Sequence, residues 1–411
     1  MKSCQLSRRQ GICKLTLAAL APFAISPSIR AFWENPILSP RQAITDSLTP
    51  FMDSGDLSGL VAATGTSKGL DEVVCLGKAD LASGRPMNPD TLFRIASMTK
   101  PITALSVMQA AQVGKLKPGD LLAKHLGEFS GLKVKAKDNT GKSIVVDLEK
   151  PPTLAHLLSH TSGIPAYPKS LGDIYGTRKP TLAEAVKGVA GEPLDFVPGS
   201  KWAYCNPGID TLGRVVELAF GQGFVDCVGE RILKPLGMKD TVFFPAVEAR
   251  KKAALLYERK EGKLYPVKSW AEPPLSTPQG ELHPMPAGGL WSTAPDIAKL
   301  CIHLLGLVKG SLKEGILSPA LAKEMILVKT GDLKAGFTEG MGFGYGWAVS
   351  RKINPMFPTL SVGTFGHGGA FGTQYWIDPV KDRFTILMIQ RVGLANSDAS
   401  PMRVALHKAV G

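Results

Sequence analysis

The sequence predicts an α/β protein of the α+β type, in which an antiparallel sheet flanked by helices carries an inserted all-helical domain. Two observations predict it. Strand-like runs bounded by turn residues sit toward the two ends of the chain, at 59–66 and 72–76 and again at 344–350, 373–377 and 384–390, while the long middle keeps helical periodicity. Parallel strands need a crossover between each pair, so strands gathered at the ends with helices between them favour antiparallel pairing around an insertion.

From the N-terminus, Lys2, Arg8, Arg9 and Lys14 precede an apolar run over 15–25, and small residues continue to Ala31. That is the order of a secretory leader, so residues 1–31 are expected to be removed and the mature protein to be periplasmic or secreted; Ser7-Arg8-Arg9 also fits twin-arginine export. A helix over 43–54 comes next, with Pro50 weakening its second half. Residues 59–66 and 72–76 read as a hairpin around Ser67-Lys68-Gly69. After Ser97, Ile102, Leu105, Met108 and Val113 keep a helical period that Gly114 stops. Helices are expected at 153–158, 181–189, 209–220 and 295–305, and strand patterns return only with 344–350, ahead of a closing helix over 401–409. The expected division is 1–31 as leader, 32–105 with 290–411 as the sheet domain, and 106–289 as the helical insertion.

Composition narrows the function classes. With 44% hydrophobic and 20% charged residues, the chain is an ordinary globular sequence. The leader holds five basic residues, Lys2, Arg8, Arg9, Lys14 and Arg30, and no acid, so its removal takes the net charge from +13 to +8. Lys133, Lys135, Lys137 and Lys142 are broken by Gly and Asp and lack interleaved aromatics, which reads as solvated surface; no nucleic-acid partner is expected. No later stretch is apolar enough to span a bilayer. Of six cysteines, Cys4 and Cys13 lie in the leader, and Cys75, Cys205, Cys227 and Cys301 stand at long, irregular spacings that suggest free thiols. His156 and His160 are four apart, but Leu157 stands where a zinc protease needs glutamate, so no metal and no cofactor is expected.

Three constellations could carry chemistry. The first is Ser97-Met98-Thr99-Lys100. If Ser97 opens a helix, Lys100 lies one turn on and its amine reaches the serine oxygen, and the N–H groups of the helix start favour negative charge there. A serine hydroxyl is a weak nucleophile until a neighbouring base takes its proton, which such a pair supplies. A capping serine is the alternative reading of Ser97. Ser130 with Lys133 repeats the spacing without a helix start. The second constellation, Tyr204-Cys205-Asn206, lies in a loop before a helix, where a phenol can act as acid or base and an amide can hold a carbonyl. Asn206 ahead of Pro207 also reads as a helix cap, and Cys205 has no assigned role. The third is His367-Gly368-Gly369, where glycines let a strand approach a ligand and the histidine adds a titratable group. It competes with His125-Leu126-Gly127 and with Lys329-Thr330-Gly331. No strand pattern follows Lys329, whereas Gly368 leads into two strands.

In this order the motifs resemble the serine β-lactamase and penicillin-binding family, closest to the class C β-lactamases, the D-stereospecific peptidases and the related esterases. The likeness extends to 157–164 (LLSHTSGI), Pro198-Gly199, Pro235-Leu236-Gly237-Met238, Ala287-Gly288-Gly289-Leu290 with Ser292-Thr293, and Gly344-Tyr345-Gly346-Trp347. The resemblance implies an α/β domain under a helical domain with the site between them. It further implies Ser97 as nucleophile, Lys100 as its proton partner, Tyr204 as general base or acid and Asn206 as the contact to the substrate amide. His367, Gly368, Gly369 and Ala370 would line the substrate, with the backbone N–H groups of Ser97 and Ala370 forming the oxyanion hole. His367 stands where class C β-lactamases have lysine and several D-peptidases have histidine. A histidine is largely neutral at pH 7 and titrates at about 6.5, so strong β-lactamase activity is not expected and a pH limb in that region is. The implied function is hydrolysis of a small-molecule ester or β-lactam through an acyl-enzyme. A D-amino-acid carboxypeptidase and a non-hydrolytic receptor for penicillin or peptidoglycan are the alternatives.

Overall fold

A computed structural model describes residues 38–268, 279–394 and 399–411. The expected leader, residues 1–31, lies outside them. The chain divides after residue 39, and Pro40–Gly411 forms a unit by itself.

Helix α1 (Pro40–Leu48) leads into β1 (Gly59–Thr66) and β2 (Gly69–Gly77). The expected helix over 43–54 is divided: Pro50 opens a separate turn, Pro50–Asp53, as a residue without an N–H must. Five late strands complete the sheet: β3 (Met341–Phe343), β4 (Ala348–Ser350), β5 (Phe365–Gly368), β6 (Gln374–Asp378) and β7 (Arg383–Met388). The order is β2-β1-β7-β6-β5-β4-β3, antiparallel at every pairing, so the two ends of the chain meet where β1 lies against β7.

The pleat explains how the sheet is covered. Along β1, Val61 and Ala63 face the main core while Leu60 and Ala62 face a second one, and β7 does the same with Ile386 and Met388 against Leu387. The second core is closed by Ile44 and Leu48 of α1 and by Met402 and Leu406 of the terminal helix (Pro401–Val410). The main core holds helix α2 (Thr99–Gln112), in which every residue from Thr99 to Ala110 is buried. A helix buried all round belongs at the centre, and its Leu105 and Met108 each contribute about 2 kcal/mol by burial. Helix α3 (Asn206–Phe220) packs beside it, stopped by Gly221 in the left-handed region at φ 64°. Helix α4 (Ala294–Lys309) lies on the sheet, started by Thr293, whose hydroxyl accepts the Asp296 N–H.

Two further expectations change. Residues 344–350 do not form one strand: Gly344–Trp347 is the turn between β3 and β4, closed by a hydrogen bond from Gly344 N–H to Trp347 C=O at 2.9 Å. Gly346 in that turn has φ 77°, and a Cβ there would collide with Ala104 of α2. Strands also occur in the helical middle, as hairpins at Lys133–Lys137 with Ser143–Asp147 and at Tyr257–Lys260 with Lys263–Pro266. Alternating lysines had concealed the first; its Lys133 and Lys135 pair with Asp147 at 2.9 Å and Asp195 at 2.7 Å.

Candidate active site

Ser97 sits in a 3-10 turn, Ala96–Met98, that runs directly into α2, so the helix start is tighter than an α-turn. Ala96 before it has φ 45°, a conformation that costs a side-chain-bearing residue about 1 kcal/mol or more. Its surroundings over-determine the turn. Ile95 N–H donates to Leu290 C=O at 3.1 Å, Thr99 Oγ1 donates to Ala96 C=O at 2.7 Å, and Thr373 Oγ1 donates to Ile95 C=O at 3.2 Å. Ser97 itself is half-buried.

Lys100, one turn on, is fully buried, with Nζ 3.0 Å from Ser97 Oγ and donating to Ala287 C=O at 2.7 Å. Burial disfavours the ammonium and, against the opposing field of Asp210, pushes Lys100 down to about 7. The Tyr204 ring centroid lies 4.7 Å from Nζ. His160 holds the tyrosine segment on both sides: its carbonyl accepts the Ala203 N–H at 2.9 Å and its Nδ1 accepts the Cys205 N–H at 3.2 Å. The rings of His160 and Tyr204 are 4.6 Å apart, and Trp202, Phe337 and Phe343 complete an aromatic wall.

Asn206 opens α3 but does not cap it. The cap is Cys205, extended at φ −139°, whose Sγ accepts the Gly208 N–H at 3.2 Å. Its thiol, pushed up to about 12 by burial, stays un-ionised. The Asn206 Oδ1 is buried without a hydrogen-bond partner among the described residues.

His367 lies on β5 opposite Tyr375 and is buried. Its Nδ1–H donates to Gly368 C=O at 2.7 Å, which leaves Nε2 as an unprotonated acceptor with no partner among the described residues. Burial first, and the nearby Lys100 second, push its pKa down to about 3, so it is neutral throughout the range where a titration near 6.5 was expected. The expectation treated the ring as exposed; dehydration is what moves it. Gly369 is required for close approach, because a Cβ there would collide with Ile95 C=O and Thr373 Oγ1. This contact brings the end of β5 and the exposed Ala370 up to the Ser97 turn.

The competing motifs lie elsewhere in their bonding. Lys329 pairs with Glu324 at 3.5 Å and lies 4.6 Å over the Tyr345 ring. Ser130 is exposed and its Lys133 is taken by Asp147. His125 bonds Asp120 at 3.0 Å, and His156 closes a capping box with Thr153. The four cysteines 75, 205, 227 and 301 are free thiols, and no group of three or more metal-ligating side chains occurs among the described residues.

Residues 44–409 match the family described as Beta-lactamase. The chain belongs to the beta-lactamase family of serine hydrolases. It is 32% identical to Protein Rv1367c of Mycobacterium tuberculosis over 86% of this chain and 91% of that protein. Esterase EstB of Burkholderia gladioli is 29% identical over 81% of this chain and 86% of its own length. Among solved structures, EstCE1, a hydrolase with promiscuous acyltransferase activity, has the same fold, with a TM-score of 0.74, 24% identity and coverage of 90% of this chain and 98% of that one. In this member of the beta-lactamase family the helical and sheet elements converge at one turn, that of Ser97.

Sequence reasoning missed His160, Trp202, Phe343, Asp210 and the carbonyl of Ala287. Ala287 lay within a segment singled out only for likeness, His160 was weighed only as a metal ligand beside His156, and Asp210 carried a readable signal, a carboxylate four residues after Asn206 and so on the same face of a helix.

Proposed function

We propose that the protein is an exported serine esterase that works through an acyl-enzyme on Ser97. The observation that carries this reading is the buried Lys100 amine, 3.0 Å from Ser97 Oγ and pushed down to about 7 by burial. With the amine neutral, the Ser97 hydroxyl donates to its lone pair. As Oγ attacks the ester carbonyl, Lys100 takes the proton and the negative oxygen is received by the N–H groups of Ser97 and Ala370, an interaction worth a few kcal/mol per donor. Lys100 or Tyr204 returns a proton to the departing alcohol. Water then attacks the acyl group by the same route, releasing the acid and restoring Ser97. Asn206 Oδ1 and His367 Nε2, both buried acceptors without partners among the described residues, orient the substrate.

The choice of ester over β-lactam rests on His367. A carboxylate-bearing substrate calls for a cation beside the carbonyl, and a neutral imidazole with an outward lone pair repels one. Similarity to an esterase points the same way. The test is intact mass of the protein from its native host, before and after incubation with a panel of p-nitrophenyl esters and a cephalosporin. A mature chain beginning near Phe32, an acyl adduct that decays by turnover with esters, and slower turnover of the cephalosporin are expected. Ser97→Ala should lose the adduct and Ser130→Ala should keep it. An adduct that persists in Ser97→Ala sinks the reading, and a stable adduct with no turnover of any ester replaces it with a receptor.

A further inference from the structure

We propose that Asp210 is a positioning residue for the base: through the backbone of Ala287 its carboxylate holds the Lys100 amine against Ser97. The inference rests on the esterase reading and concerns a group that reading does not use.

The connection is continuous. Asp210 is buried on α3, and its Oδ1 accepts the Ala287 N–H at 2.8 Å. The carbonyl of the same residue accepts from Lys100 Nζ at 2.7 Å, and Nζ stands 3.0 Å from Ser97 Oγ. A neutral amine has two N–H bonds and one lone pair. Fixing one N–H on the Ala287 carbonyl leaves the lone pair able to face the serine hydroxyl, and by anchoring the N–H of the same residue the Asp210 carboxylate fixes where that carbonyl stands.

The segment that carries Ala287 is gripped along its length. Arg178, fully buried, donates from Nε to His283 C=O at 2.8 Å, and His283 N–H donates back to Arg178 C=O at 2.8 Å. Thr103 of α2 donates to Pro286 C=O at 2.6 Å. Arg178 also supplies the charge that makes a buried carboxylate tolerable, since the fields of the Arg178 guanidinium and Asp210 favour each other's charged form. Asp210 thus does two things at once: it fixes a peptide and sets the field at the lysine.

The groups around Lys100 come from every neighbouring element: Ser97 from its own turn, Tyr204, Cys205 and Asp210 from the start of α3, His160 from the loop before 164, and His367 from β5, with Arg178 behind Asp210. Burial holds both histidines neutral and the Cys205 thiol un-ionised. Asp210 is therefore the carboxylate whose charge favours the ammonium, and removing that charge makes the lysine lose its proton at lower pH.

The experiment is a pH series of kcat/KM on a neutral p-nitrophenyl ester for the full-length wild type, Asp210→Asn, Asp210→Ala and Arg178→Gln. The acid limb reports the lysine, since activity rises as the amine loses its proton. Asp210→Asn keeps an oxygen for the Ala287 N–H and should move the limb to lower pH by about one unit, the low end of what a neighbouring opposite charge contributes, with an alkaline plateau within about threefold of wild type. Asp210→Ala loses the acceptor as well and should lower the plateau about tenfold. Arg178→Gln removes the opposing cation and should move the limb the other way. An unmoved limb in both Asp210→Asn and Arg178→Gln overturns the proposal, and if one of the two fails to fold the direction of shift in the other decides it. Failure of the esterase reading itself is separately visible, as a wild type with no limb near 7 or a Ser97→Ala protein that still turns over ester.

Discussion

Lys100 sits where two costs meet: an amine taken fully out of water, and a hydroxyl that needs a base within hydrogen-bonding reach. Its partner and its spacing were legible, because three residues along a helix bring the side chains together whatever the rest of the chain does. Its protonation state was not, nor that of His367, because dehydration depends on what covers a side chain. The consequence is a reassignment of the pH dependence. An acid limb near 7 is expected from Lys100, with activity rising as pH rises through it, while His367, held down to about 3, contributes none. His367→Gln should therefore keep the limb within about half a unit while altering KM. A pH series of kcat/KM on a neutral ester for this variant would expose the assignment as wrong if the limb vanished.

At the scale of elements, the site depends on how closely β5 approaches the Ser97 turn. The glycines of the third motif announced a close approach in sequence, and Gly369 is where it occurs, against Ile95 C=O. Gly369→Ala should force the strand end away from the turn and misplace the Ala370 N–H. Loss of one such donor costs about 100-fold in kcat; a fall of that order, with far-UV circular dichroism unchanged, is the expected result, and near-normal kcat would detach Ala370 from the oxyanion role. The start of α3 is instructive for what spacing hides. Asn206 looked like the cap because Pro207 follows it, yet proline is equally at home one place further into the first turn, and the extended backbone of Cys205 makes that residue the cap. The hairpin at Lys133–Lys137 was missed for a related reason: the lysines read as solvated surface, with no strand assigned, until Asp147 and Asp195 are seen beside them.

For the molecule as a whole, deep burial of histidines sets the response to acid. His283 and His367 are each pushed down to about 3, and His160 and His407 lie well below their usual value, all chiefly by burial. Each is depressed in the folded state, so the unfolded chain, titrating at about 6.5, binds more protons between the two values. The associated stability is fully present above about 6.5 and is lost as pH falls toward 3. Melting temperature measured by calorimetry should decline by several degrees between pH 6.5 and 4.5, before most carboxylates titrate; a flat profile there would contradict the burial of these rings. By itself the sequence determined the fold class, the antiparallel sheet drawn from both ends, and the local motifs around Ser97, Tyr204 and His367, because these are written in periodicity and in spacings of a few residues. The tertiary structure decided which S-x-x-K and which glycine motif share a site. It also joined Asp210, Ala287 and Lys100 across long stretches of chain and made His367 neutral. The reason is physical: hydrogen bonds between distant segments and the removal of water from a side chain exist only once the core has closed around them.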